Sequence, residues 1–331
     1  VHFTFTDDQV ALRDAVRAFC ADRLGLERVA ERELVPADPA VWQELAGMGV
    51  LGMLLPDDDS GLGLVEASIV FEELGRHLSS GPVLWSTVAA PLVPGAADGS
   101  VRVAGLLAPS AAETAAGVPV VVEHGAEADV VLVLHDDRVE RIERADLSGA
   151  EPGVPLDPLT PALVLPALPA GEVVGDAVAA RTLRLQGVTL AASTLVGVAQ
   201  GALDVARDYA LEREQFGVPI GSFQAIKHLL SDMFVRCELA RAETTAAAAI
   251  VADPAAGDPE RATSGAKILA GEAATANGRF AVQVLGGMGF TWDMLPHYYL
   301  KRGWALDQAF GTVAWHAERL GTALGDEVAA R

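Results

Sequence analysis

Residues 101–188 interrupt an otherwise helical text with β-rich text, and that order restricts the folds open to the chain. VRVAGLLAP, VPVVVEH, ADVVLVLHDDRVERIE and RTLRLQGV are short Val- and Leu-rich runs bounded by Pro, Gly and Asp, the pattern of strands between turns. Val130–Leu134, then Asp136-Asp137 and the alternating Val139, Arg141 and Glu143, predict a hairpin. Prolines 152, 155, 158, 161, 166 and 169 argue against long helices there. Before this stretch, Thr6 is placed to cap a helix beginning Asp7-Asp8-Gln9, with Val10, Leu12, Val16 and Phe19 at near-helical spacing. Val41–Met48 and Glu66–Leu78 predict two more helices, and LLPDDDSGLGL a loop between them in which Asp57-Asp58-Asp59 are solvated. After it, Leu195–Glu212 is apolar nearly all round, as in a helix buried among helices. Phe223–Ala249 and Thr263–Val284 continue the helical pattern, with DPAAGDPE as the loop between them. The expectation is a mostly helical α+β chain: a helical domain over 1–100, a small β domain over 101–188 and a helical bundle over 189–331.

Composition narrows the partners. Of 331 residues 51% are hydrophobic, a globular balance, and 24 basic against 45 acidic residues leave a formal charge of −21. A surface that acidic repels phosphate backbones and anionic lipids, which argues against nucleic acid and membranes as partners. It leaves room for one local basic site for a phosphorylated cofactor. Cys20 and Cys237 are far apart and in no metal-ligand spacing, so two free thiols in a reducing cytoplasm are expected. The opening VHFTFTDDQVALRDAV has acids where a secretory leader has basic residues, again consistent with a cytoplasmic protein. None of the seven histidines is paired with a second ligand at metal spacing, and no metal is expected. The GGMG at 286–289 lacks the surrounding βαβ text of a dinucleotide fingerprint.

Two segments carry a more specific message. They are ALDVARDYALEREQFGVPIGSFQAIKHLLSDM, residues 202–233, and QVLGGMGFTWDMLPHYYLKR, residues 283–302. Together they resemble the carboxy-terminal signature of the acyl-CoA dehydrogenase family. VWQELAGMGVLGMLLPDDDSGLG and the later EELGRHL agree, so the resemblance covers roughly 1–90 and 190–320 and is poor in the middle. It implies that family's fold: N-terminal helices, a middle β domain and a C-terminal four-helix bundle. It also implies FAD and an acyl-CoA substrate, with a carboxylate removing the α-proton while a hydride leaves the β-carbon for the flavin. In the family, the RxxFG stretch reaches FAD bound mainly by a neighbouring subunit. The resemblance therefore assigns cofactor contact to Arg213, Gln215, Phe216 and Gln224, and to Gln283, Gly286 and Gly287. Arg213 would supply a planar cation for the pyrophosphate, and the glycine pair a close backbone approach. Thr312 would touch the partner's cofactor.

The departures from the family pattern are as informative. Many members carry the catalytic glutamate just before a Gly-Thr near the carboxy end. Here that stretch is ALDQAFGT, and Phe310 stands at the glutamate position. Other members place the base early in the helix before RxxFG, where this chain has LRLQGVTLAAST, with Gly187 and Val188 and no carboxylate. Val188 also replaces an arginine that anchors substrate in many relatives. The flavin-cradling Thr-Glu and Gly-Ser-Asp stretch and the later Trp-Ser/Thr pair are absent from LLAPSAAETAAGVPVV, and no tryptophan lies between Trp85 and Trp292. The chain thus resembles the second, base-free subunit of actinobacterial α2β2 acyl-CoA dehydrogenases similar to those of steroid side-chain degradation. That likeness implies no catalytic residue of its own and a homologous full-length subunit whose FAD site it completes. It further implies an acyl-CoA substrate and an electron-transfer flavoprotein as electron acceptor. Two alternatives stay open: a self-sufficient homo-oligomer using a displaced base such as Asp307, and a flavin-free scaffold or acyl-binding relative.

Overall fold

A computed structural model describes residues 5–56 and 62–329, so the reading of Asp57-Asp58-Asp59 lies outside the described residues. The first helix, α1 (Asp7–Arg23), starts at a capping box: Thr6 Oγ1 accepts from Gln9 N at 3.2 Å and the Gln9 side chain accepts from Thr6 N at 3.0 Å. Asp38 caps α2 (Pro39–Gly47), whose proline sits at the first turn where no N–H is needed. α3 (Leu64–Arg76) and α4 (Val83–Ala89) complete the N-terminal helices. The middle zone holds β1 (Val103–Leu107), a short α5 (Ala111–Ala115), β2 (Val120–Glu123), β3 (Val130–Leu134), β4 (Val139–Glu143), β5 (Glu151–Pro152), β6 (Ala162–Leu165) and β7 (Glu172–Gly175). Then come α6 (Ala177–Glu212), a small hairpin of β8 (Glu214–Gln215) and β9 (Val218–Pro219), α7 (Gln224–Ala252), α8 (Pro259–Leu285), α9 (Pro296–Gln308) and α10 (Val313–Ala329). The layout of helices, β zone and helices is the expected one.

One expected strand is helical instead. RTLRLQGV lies inside α6, which begins at Ala177. Asp176 Oδ1 accepts from Val178 N at 3.1 Å and Ala179 N at 2.9 Å, an N-cap that starts the helix before the run. Leu183, Leu185 and Gly187 are all buried, so the run mimics the alternation of a strand although its backbone is helical throughout. α6 is also long and apolar enough to cross a membrane by composition; 83% of that apolar window is buried in the protein, as for a core helix.

The described residues divide into two compact units, within 30–67 and 80–187 for one and within 1–29, 68–79 and 188–331 for the other. In the first, β1-β3-β4-β7 form one sheet, with β1 and β3 parallel and the other pairs antiparallel; β2-β6-β5 form a second, antiparallel sheet. The predicted hairpin is β3–β4, with Val131 opposite Ile142 and Leu134 opposite Val139. Ala104, Val131, Val133 and Ile142 of one sheet share a core with Val120, Val122, Leu163 and Leu165 of the other. Each strand thus places alternate residues inward.

In the helical unit, buried Asn277 of α8 ties three helices together. Its Nδ2 donates to Ala199 O on α6 at 3.2 Å and to Met233 O on α7 at 3.1 Å. α8 also packs against α9 and α10. Gly201 lets α6 approach Tyr299, whose ring would lie 2.3 Å from an added Cβ. Tyr299 then donates its hydroxyl to Arg76 O at 2.8 Å.

Candidate cofactor-contact surface

Arg213 is the first residue past α6, and the chain folds back on itself there. Its N–H donates to Tyr209 O and its carbonyl accepts from Ile220 N, both at 2.8 Å. β8 and β9 pair Glu214 with Pro219 and Gln215 with Val218, which leaves Phe216 and Gly217 as a two-residue turn. Both take positive φ, 57° and 80°, as a hairpin turn of this length demands. Glycine does so freely; phenylalanine does not, so Phe216 occupies a conformation its residue type avoids. Its ring is 94% exposed and meets Phe223 edge-on, centroids 6.2 Å apart. Arg213 and Gln224, the first residue of α7, are also exposed, and Arg213 has no carboxylate partner among the described residues. Gln215 donates its side-chain amide to Glu214 O.

The second group lies at the end of α8. Gln283 is exposed, and Gly286 ends the helix with φ 60° and ψ −134°, a conformation that favours glycine. Gly287 has no positive φ, and a Cβ at either glycine would meet no atom within 4 Å. Nothing in the chain's own backbone or packing requires glycine at 287. Gly289 is the contrasting case, since an added Cβ would lie 2.6 Å from Val282 O. Phe290 and Trp292 follow, 84% and 64% exposed. No hydrogen bond or ion pair joins the Arg213 group to the Gln283 group among the described residues. The sequence brings each group together locally and leaves both facing outward, each beside an exposed aromatic ring.

Phe310, which the resemblance sets at the position of the usual base, is sealed in the interior. Phe310 is 1% exposed, with φ 57°, and Gly311 follows at φ 103°. Val188 is also buried, and α6 carries no acid before Asp204. Asp307 spends its Oδ1 on Val313 N at 2.9 Å, at the start of α10. It also borders a groove of about 530 Å3 shared with Arg236, Arg279 and Gly271. Thr312 is half-buried, and its Oγ1 accepts from Trp315 N at 3.1 Å.

Sequence reasoning missed the group that organises this turn. Lys267 of α8 is fully buried and donates to three carbonyls: Asp307 O at 3.0 Å, Ala309 O at 2.7 Å and Gly311 O at 2.5 Å. Burial lowers its pKa to about 8, against a smaller opposing pull from Asp307. The available signal was a lysine amid the small residues of GAKILAG, in a chain that has only Lys227 and Lys301 besides. Buried Cys237 is inert by the same effect, its thiol pushed up to about 12 chiefly by burial.

Comparison with known proteins gives a consistent result. Residues 6–98 match the family model described as the acyl-CoA dehydrogenase N-terminal domain, and residues 175–324 the acyl-CoA dehydrogenase C-terminal domain. The acyl-CoA dehydrogenase FadE34 of Mycobacterium tuberculosis is 33% identical over 90% of this chain, which spans only 45% of that relative's length. The acyl-CoA dehydrogenase IpdE2 of the same organism is 30% identical over 89% of this chain and 91% of its own. Among solved structures, the ChsE4-ChsE5 complex from Mycobacterium tuberculosis matches with a TM-score of 0.84 at 23% identity, over 98% of this chain and 99% of that one. The G363A variant of the Tcur3481-Tcur3483 steroid ACAD matches with a TM-score of 0.81 at 25% identity and the same coverage.

Proposed function

The chain belongs to the acyl-CoA dehydrogenase family, and on that premise we propose that it is a base-free subunit of a heteromeric, FAD-dependent acyl-CoA dehydrogenase. Its role there is to complete the FAD site of a homologous, full-length subunit. One observation carries this reading: Phe310, which the resemblance aligns with the base, is buried, while Arg213, Gln283 and Gly287 stand exposed and the missing Cβ of Gly287 answers to no neighbour in its own chain. A chain that had lost both functions would have no reason to keep an open glycine at 287.

The residues fit the group they are proposed to hold. Exposed Arg213, free of carboxylates, offers a forked set of donors to pyrophosphate oxygens. Gly286 and Gly287 leave bare backbone where a nucleotide can approach, and Gln283 offers both a donor and an acceptor beside them. Phe216 and Phe290 present apolar faces that exclude water around the charged contact. When bound, FAD accepts the hydride from the acyl β-carbon. The proton from the α-carbon goes to a carboxylate of the partner, because Phe310 can accept none. What this chain supplies is charge compensation and position, and an electron-transfer flavoprotein takes the electrons onward. The Tcur3481-Tcur3483 relative, named as a steroid ACAD of two proteins, supports a heteromer acting on a steroid side-chain CoA thioester. We further infer a cytoplasmic assembly of two copies of each chain, with domains at 1–100, 101–188 and 189–331.

The test is to purify the chain alone and together with a homologous full-length subunit. The expected result is a colourless chain alone and a yellow, active tetramer with the partner, with two flavins per four chains. A yellow homo-oligomer that turns over acyl-CoA alone, and loses turnover in Asp307→Asn, would replace this reading with the displaced-base enzyme.

A further inference from the structure

The crossover between α9 and α10 has an unusual carbonyl inventory. A helix end leaves its last carbonyls without intrahelical partners, and water or a cap usually serves them. Here Asp307 O, Ala309 O and Gly311 O converge on one buried ammonium, that of Lys267, at 3.0, 2.7 and 2.5 Å. The ammonium has three donors and uses all of them. The carbonyl between, Phe310 O, lies 3.2 Å from His316 Nε2, and His316 Nδ1 lies 3.0 Å from Ser264 Oγ. An Nε2–H tautomer satisfies both contacts, with the Ser264 hydroxyl donating. Thr312 O accepts from His316 N at 3.0 Å. Every carbonyl from 309 to 312 is thereby engaged.

For carbonyls 307, 309 and 311 to meet at one point, the chain must reverse between them. That reversal takes Phe310 to φ 57° and Gly311 to φ 103°. A bulky residue holds such a conformation only when its surroundings over-determine it. Lys267 and His316 are both buried, delivered by two different helices, α8 and α10. The negative end of α9 adds to the attraction for the Lys267 charge.

We propose that Lys267 and His316 are positioning residues that hold the 309–312 crossover in a single backbone conformation and thereby present Thr312 to the cofactor. The first half concerns this chain alone; the second rests on the function proposed above. The crossover is thus a fixed frame that survives the replacement of the base by Phe310, because no part of the clamp depends on the side chain at 310.

Two measurements on Lys267→Met, His316→Gln and Thr312→Val test this. The first is hydrogen exchange of peptides spanning 305–316 in the purified chain. Lys267→Met should speed exchange there by about tenfold or more while α1 and α6 keep wild-type protection; His316→Gln should give a smaller rise in the same peptides. Unchanged exchange at the crossover, or an equal rise across all helices, would overturn the clamp. If Lys267→Met does not fold, His316→Gln decides by the same criterion. The second is flavin content of the assembly with the homologous subunit. Lys267→Met and Thr312→Val should each lower it, and the double variant should lower it no further than the worse single one. Full flavin in Lys267→Met beside a loss in Thr312→Val would overturn the presentation of Thr312. Absence of flavin from the wild-type assembly too would refute the proposed function and with it that presentation, leaving the exchange experiment to decide the clamp.

Discussion

Arg17 of α1 grips Glu73 of α3 with one edge of its guanidinium, Nε donating to Oε2 at 3.1 Å and Nη2 to Oε1 at 2.7 Å. Glu73 is 1% exposed, so this fork is what allows a carboxylate to be buried there. Removing the arginine while leaving the carboxylate strands a charge. Arg17→Met should cost about 2 kcal/mol in urea denaturation, below the figure for a fully buried pair because Arg17 keeps much of its surface in solvent. Adding Glu73→Gln should return most of the loss. Equal loss in the single and double variants would mean that the pair contributes packing rather than charge compensation.

The same helices show what could be read from the text and what could not. The α1 capping box is local, three residues from donor to acceptor, and Thr6 announced it. The β3–β4 hairpin was legible because a continuous apolar β-rich run and an alternating one flank a short turn. The start of α6 was not, because Leu183 and Leu185 mimic alternation and the cap at Asp176 lies outside the apolar run. At the candidate site, the signature residues identified the Arg213 hairpin and the Gln283–Gly287 helix end. Their exposure, on which the proposal turns, depends on what the rest of the fold leaves uncovered. The Lys267 clamp joins residues at least 40 positions apart, and no local pattern encodes such a pairing.

Gly197 and Gly287 should respond to the same substitution in opposite ways. A Cβ at Gly197 of α6 would sit 1.9 Å from Glu72 O and 2.7 Å from Arg76 N, both backbone atoms of α3. Backbone cannot rotate aside, so Gly197→Ala should destabilise the chain by about 3 kcal/mol or more, or prevent folding. Gly287→Ala has open space and ordinary φ, and its stability should stay within about 0.5 kcal/mol of wild type. Thermal melts of the two variants check this. A melt of Gly287→Ala well below wild type would mean that the glycine serves the chain's own fold, which would weaken its assignment to the cofactor.

Lys267 sets a pH dependence of definite sign. The folded chain releases this proton near pH 8, whereas the unfolded chain keeps it to about 10.5. Between those values the unfolded state binds more protons, so this residue makes stability rise with pH. Cys237 acts oppositely above pH 9, since its folded thiol stays protonated to about 12. The comparison is therefore between wild type and Lys267→Met, measured by urea denaturation from pH 7.5 to 10. The wild type should gain on the variant by up to about 3 kcal/mol across that range. A constant difference would mean that the carbonyl cage holds the ammonium as well as water does.

Arg213 separates the proposed function from a flavin-free scaffold. It is exposed and has no carboxylate partner among the described residues, so Arg213→Ala should leave the melting temperature of the chain unchanged. In the assembly it removes a forked, charge-assisted contact to pyrophosphate, and flavin affinity should fall about tenfold to a hundredfold. Arg213→Lys keeps the charge but not the fork, and should fall between the two. Because the contact sits at the surface, added salt should weaken flavin binding in the wild type more than in Arg213→Ala. Fluorescence titration of the apo assembly with FAD at two salt concentrations measures both effects. Flavin affinity that is identical in wild type and Arg213→Ala would remove the main residue on which the completion of the partner's site depends.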